Sequence, residues 1–258
     1  MKQFLIASAL LLPAWSAAFA EDHEDIRVRV GLGAQVRPDF LGADSRELAP
    51  AWRINIARGD KEFPAGSPGD SWAIPLLSSG GFSFGPAANV ASGRKDSDVG
   101  VPLGKVPTTF EAGGFAQYQA GEHIRLRGEL LKGIGGHEGL VGAAGVDGIW
   151  RDADRWVFTI GPRVRFSDGR YQRAYFGVTP SASLASGLPE YRPGGGVHAL
   201  GLASGAFYGF NPQWGMFGFA RYDRLVGDAG NSPIDRDLGS RNQLAAGLGL
   251  TYTFTIHR

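Results

Sequence analysis

The chain of 258 residues carries 26 Lys and Arg against 25 Asp and Glu, 40 glycines and no cysteine. The charge balance offers no basic field to recruit nucleic acid, and the missing thiols exclude a disulfide framework and thiolate metal sites. Glycine is roughly twice its usual share, as expected of a chain rich in turns and closely packed strands.

The first twenty residues read as a secretory leader. Lys2 gives a positive start, Phe4 to Leu12 form an apolar core, and Ala18-Phe19-Ala20 is an A-x-A site with cleavage expected before Glu21. The apolar stretch is shorter than the roughly 20 residues needed to span a bilayer. Removing residues 1–20 takes away only Lys2 among the charges, so residues 21–258, expected as one domain, are formally neutral. No later apolar run is long enough for a membrane helix.

Strict alternation begins at once. Ile26, Val28, Val30, Leu32, Ala34 and Val36 oppose Arg27, Arg29, Gly31, Gly33 and Gln35, which predicts a strand. The same period recurs at Trp52 to Ile56, Phe110 to Tyr118, Ile124 to Leu130, Leu140 to Trp150, Trp156 to Phe166 and Trp214 to Tyr222. Weaker strands are expected over Phe82 to Ala91, Arg173 to Ser183 and Gly196 to Phe210, with a further short one at Trp72 to Ser78 despite Pro75. The last segment, Asn242 to Phe254, is the clearest. Leu244, Ala246, Leu248, Leu250, Tyr252 and Phe254 share one face, while small and polar residues share the other. Turn formers separate these segments: Gly121-Glu122, Asp152-Ala153-Asp154, Asp168-Gly169 and Asn211-Pro212. No useful helical period is found.

The faces follow from charge. Arginine facing lipid at mid-membrane costs about 2–4 kcal/mol. Arg29, Arg125, Arg127, Arg163 and Arg165 are therefore expected to face a lumen, where Glu111, Glu129 or Asp147 could meet them. A soluble sandwich would also alternate, but with its apolar face inward. Strand length, and aromatics near strand ends such as Trp150, Trp156 and Tyr252, favour interfacial girdles. The expectation is an all-β, closed, antiparallel transmembrane β-barrel of about twelve strands, with ten as second choice. Counted back from a periplasmic C-terminus, Gly227 to Arg241 is expected outside and Asn211-Pro212 on the periplasmic side.

Several stretches carry a family resemblance. Tyr175-Phe-Gly-Val178, Ser186-Gly-Leu-Pro-Glu-Tyr191, Arg221 to Asp228, Asn231-Ser-Pro-Ile234, Gly239-Ser240 and Asn242-Gln243 resemble the C-terminal half of the MipA/OmpV family. Pro38-Asp-Phe-Leu-Gly42, Gly85-Pro86, Gly93-Arg94 and Glu111-Ala-Gly-Gly-Phe115 follow the order that family shows upstream. The resemblance implies a barrel in the outer membrane of a Gram-negative bacterium, in contact with outer-membrane lipid. For its MipA branch it implies a scaffold linking a murein transglycosylase to a murein synthase. OmpV-type members are associated with adhesion, osmotic adaptation and antibiotic or peptide responses. One departure is that Thr255-Ile-His-Arg258 follows the terminal aromatic.

Chemistry is sparse. Gly81-Phe-Ser-Phe-Gly85 matches the nucleophile-elbow string around Ser83, but it lies in an alternating strand with no helix after it. The five histidines are not placed at metal-ligand spacing. His198 is expected on a barrel face, and His137 in a solvated glycine-rich turn. Asp96-Ser-Asp98 and Asp235-Arg-Asp237 do not form a twelve-residue calcium loop. No catalytic residue, metal or cofactor is expected. The loop from Gly227 to Ile234 is dense in turn chemistry. It reads first as a self-folded cap and second as a partner surface through Asp228, Asn231, Ser232 and Pro233. The expected function is a non-enzymatic scaffold in envelope maintenance. A narrow pore, or an adhesin or stress-response protein, is the alternative.

Overall fold

The computed structural model describes residues 24–257. The leader and its cleavage residues, Ala18, Ala20 and Glu21, lie outside them. In chain order the strands are β1 (Ile26–Pro38), β2 (Arg46–Arg58), β3 (Trp72–Ala73), β4 (Leu77–Ser79) and β5 (Phe82–Ala91). After the short α1 (Asp96–Val99) come β6 (Thr109–Ala120), β7 (Ile124–Ile134), β8 (Leu140–Asp152) and β9 (Trp156–Ser167). Then follow α2 (Gly169–Phe176), α3 (Pro180–Ser186), β10 (Gly196–Gly209), β11 (Trp214–Leu225), α4 (Gly227–Asn231), α5 (Pro233–Asp237) and β12 (Asn242–Ile256).

All twelve strands belong to one antiparallel sheet, ordered β2-β1-β12-β11-β10-β9-β8-β7-β6-β5-β3, with β4 also on β5. The first and last strands pair from Ile26↔Ile256 to Val36↔Ala246. The sheet curls until its two ends, β2 and β3, stand side by side, where Trp52 and Trp72 pack with ring centroids 4.9 Å apart. No backbone hydrogen bond joins these ends among the described residues. The expected closure is therefore a hydrogen-bonded ladder everywhere but at one seam, which side chains bridge.

The alternation sorts as lipid requires. Leu32, Ile54, Leu130, Leu200, Leu248 and Leu250 are exposed on the outer face, while Arg29, Arg125, Glu111, Thr251 and Ala245 are buried on the inner one. An apolar belt of this kind around a curled antiparallel wall is the surface of an outer-membrane barrel. Phe82, Tyr118, Trp150, Trp156, Tyr208, Trp214 and Tyr252 form an outward aromatic band beside the short turns. The long connections gather at the opposite end. Short turns are periplasmic and long loops external in such barrels, so Asn211-Pro212 and Gly227–Arg241 fall on opposite sides.

Two expectations change. Arg173 to Ser183 is not a strand; it lies within α2 and α3. Asp168 accepts the Tyr171 amide and Thr179 the Ala182 amide, and Pro180 starts the second helix. Tyr171 and Tyr175, with Gln172 and Phe176, recur at a spacing of four and bury one helical stripe. The strand Trp72 to Ser78 exists as β3 and β4, broken at Pro75, with its register on β5 slipping by one residue between the pieces.

Candidate functional site

The lumen is occupied. After β2 the chain turns inward at Gly59 and climbs through the barrel to Ser71 before rejoining the wall as β3. The Phe63 amide donates to Asp154 (2.9 Å), and Arg151 donates to the Phe63 carbonyl (3.2 Å). The Arg29 guanidinium lies between the Phe63 and Phe207 rings, 3.9 Å from each centroid, a cation–π sandwich on both faces. Higher up, Gly69 takes a positive φ of 86° and passes against the Arg165 and Arg221 guanidiniums, where a side chain would collide.

Asp70 then anchors the segment. Its carboxylate accepts from Arg125 at 2.6 Å and lies 3.7 Å from Arg163. Asp147, fully buried, accepts from the same two arginines at 2.6 Å each. Two cations and two anions thus compensate each other away from water. Beside them Glu129 accepts from the Ser71 hydroxyl (2.6 Å) and from Arg127 (3.1 Å), and Arg127 also donates to the Ser71 carbonyl (3.2 Å). Arg165 and Arg221 share Asp223, at 3.1 and 3.2 Å.

The expected lumen-facing charges are therefore all in the lumen, with partners that differ in part from those expected. Arg125 and Arg163 meet Asp147, and Arg127 meets Glu129. Arg29 and Arg165 meet an aromatic pair and Asp223. Glu111 accepts from Asn89 (2.7 Å) and His137 (3.0 Å). His137 is not solvated as expected: it is buried under Tyr171 and Tyr175, with centroids 4.8 and 5.9 Å away. The Gly139 amide donates to its Nδ1, so Nε2 carries the proton and donates to Glu111. His198 is likewise buried, against the Ser167 hydroxyl (3.0 Å). Ser83 shares a hydrogen bond with Ser78 across the β4–β5 hairpin. Among the described residues no His, Cys, Asp and Glu group could hold a metal ion.

The outer end is covered by helices. Tyr171, Tyr175, Phe176, Leu225 and Ala229 pack into one apolar cluster, and Val178, Ala182 and Ile234 into a second. Burial raises the Tyr171 hydroxyl well above its usual value and pushes that of Tyr175, which donates to the Ser92 carbonyl, up to about 12. Arg94 donates to the Tyr175 carbonyl at 2.6 Å, and Ser232 to that of Phe176 at 2.8 Å. Of the four residues considered for a partner surface, Asp228 and Asn231 are exposed, whereas Ser232 and Pro233 are buried within the cap. Asp235 is buried too; neither carboxylate oxygen has a hydrogen-bond partner among the described residues, and burial pushes its pKa up to about 8 against the pull of Arg94 and Arg241.

Between plug and cap lies a cavity of about 820 Å³, reaching from Tyr171 and Tyr175 down to Phe63 and sideways to Trp52 and Trp72 at the seam. The plug and the seam have no local signature in the sequence, whereas Asp223 has one, an acidic residue between two basic ones in Arg221-Tyr-Asp223-Arg224.

In structure the chain is similar to an outer membrane channel from Pseudomonas putida F1, with 8% identity over 90% of this chain and 95% of that one and a TM-score of 0.42. It is also similar to the OmpT outer membrane protein of Vibrio cholerae (9% identity, 92% and 99% covered, TM-score 0.37). A third similar structure is the translocator domain of the autotransporter NalP from Neisseria meningitidis (15% identity, 93% and 92% covered, TM-score 0.38). No curated protein matches in a direct sequence comparison. The family model described as MltA-interacting protein MipA matches residues 30–254, nearly the whole wall with its plug and cap, and the chain belongs to that family.

Proposed function

We propose that this outer-membrane barrel is a non-enzymatic scaffold in murein maintenance, holding a lytic transglycosylase of the kind named in its family's description and a murein synthase near the membrane. The observation that carries this reading is the doubly obstructed lumen, with a charge-anchored segment inside and a helical lid outside. A wall built around a fixed filling suits a platform better than a conduit. Murein enzymes work in the periplasm, so the docking surface belongs at the short-turn end. There Lys61 with Glu24 and Arg155 with Asp152 make exposed ion pairs, which contribute little to stability and are free to be re-paired by a partner.

The test is affinity capture with the purified, detergent-solubilised barrel as bait for purified transglycosylase and synthase. Retention is expected, weakening when Lys61 and Arg155 are reversed in charge. Failure under conditions that hold a known positive pair would sink the scaffold. The cavity keeps a second reading alive, a gated small-molecule channel. Planar-bilayer recording separates the two, since stable openings from the intact chain would favour the channel.

A further inference from the structure

Two features of the lumen remain without a task. The cavity between plug and cap is lined by inward-facing groups and also by Trp52, Ile54, Trp72 and Pro75. Trp52, Ile54 and Trp72 are more than half exposed on the lipid side. No backbone ladder closes the wall between β2 and β3, along this edge of the cavity. The backbone explains why. Ile74 and Leu76 donate their amides to Pro86 and Phe84 of β5, so residue 75 between them turns its amide toward β2. As a proline it has none to give. The Trp52–Trp72 contact spans the gap.

Just inside, Arg53 stands on the seam strand itself. It has no ion pair or hydrogen-bond partner among the described residues; its stem lies over Gly31 and its guanidinium 5.6 Å from the Phe217 ring. Arg29, in the same cavity, has no carboxylate either, and Arg221 shares Asp223 with Arg165. Positive charge is in surplus around this cavity, and a guanidinium without a protein partner there favours an anion beside it. The exit beside this surplus is apolar and faces acyl chains.

We infer that the cavity binds an anionic single-chain amphiphile, its carboxylate on Arg53 and its tail leaving along the β2–β3 seam beside the Trp52–Trp72 pair into the membrane. This stands apart from the scaffold reading and survives or fails without it. A neutral amphiphile would leave Arg53 unpaired, and a small anion would leave the seam unfilled.

The experiment uses the full barrel in a neutral maltoside detergent, titrated with dodecanoate, dodecanol and sulfate and followed by calorimetry. Dodecanoate is expected to bind saturably, more tightly than either control by about tenfold or more, the worth of a charge-assisted hydrogen bond. Arg53→Gln should erase the preference over dodecanol, and Arg53→Lys should restore part of it. Dodecanoate brominated at its terminal carbon should quench the wild-type tryptophans and lose most of that quenching in the Trp52→Phe/Trp72→Phe variant. Equal binding of dodecanoate and dodecanol by the wild type would overturn the proposal whether or not the variants fold. So would sulfate binding as tightly as dodecanoate, or quenching that ignores the tryptophan pair.

Discussion

The sheet is joined to itself in two places, and they differ completely. Where β1 meets β12, eleven residue pairs stand in unbroken antiparallel register. The backbones come so close at Gly33 that an added methyl would run into the Leu248 carbonyl. Where β2 meets β3, no ladder exists and two indoles span the gap. Direction accounts for the contrast. Each neighbour in the sheet is antiparallel, and β3 and β4 fill one position on β5, so the order has eleven positions. An odd number cannot alternate around a closed wall, so β2 and β3 descend together. Parallel neighbours cannot be linked by a hairpin, and the return path is the segment from Gly59 to Ser71 inside the lumen. The plug and the seam are therefore one topological fact seen from two sides.

If the filling substitutes for the missing ladder, breaking its charge network should cost more than any change at the seam. Asp147→Ala leaves Arg125 and Arg163 with Asp70 alone, and losing one partner of a buried network costs about 3–5 kcal/mol. Urea unfolding in detergent, followed by tryptophan fluorescence, should show a loss of that size. A loss below about 1 kcal/mol would mean that water already solvates the cluster. At the tight junction, Gly33→Ala forces β1 and β12 apart and should cost about 1–3 kcal/mol. At the seam, Trp72→Ala removes an aromatic pair from a place with no backbone bonds, for about 0.5–1.5 kcal/mol. Should Trp72→Ala prove more damaging than Gly33→Ala, the seam would be a structural closure after all.

The wall could be read from the residues because lipid imposes a period of two on every strand that crosses it, and Leu244 to Phe254 obeys that without exception. Arginine placement followed from the same constraint, which decides the face but not the partner. Asp70 reaches Arg125 across 55 residues and Asp223 reaches Arg165 across 58, and nothing local to any of them marks the pairing. The stretch from Pro64 to Gly69 has the composition of a linker; its order comes from the walls around it. α2 escaped because its apolar stripe is only two turns long. The burial of His137 has no local signal, because the glycines at 135 and 136 have the composition of a solvated turn and the covering rings of Tyr171 and Tyr175 come from a distant helix. The cap's start signals are local ones, Asp168 and Thr179 with Pro180.

The most confined effect belongs to the cap. Asp235 sits against Gly42 of the β1–β2 loop, with Arg94 and Arg241 as the cations acting on it. An ordinary aspartate titrates near 3.8, and burial pushes this one up to about 8. Between those values the folded cap keeps a proton that the opened cap releases, so stability is fully present below the lower value and falls as pH rises to the upper one, levelling beyond it. Because α4 and α5 can open without unstitching the wall, the change should appear locally. Hydrogen exchange at Ala229 and Gly230, corrected for its intrinsic pH dependence, should show stronger protection at about pH 5 than at about pH 9. Asp235→Asn, neutral throughout, should flatten that difference and hold the cap shut at the alkaline end. A slope surviving in Asp235→Asn would assign the dependence to another titrating group coupled to opening of the cap.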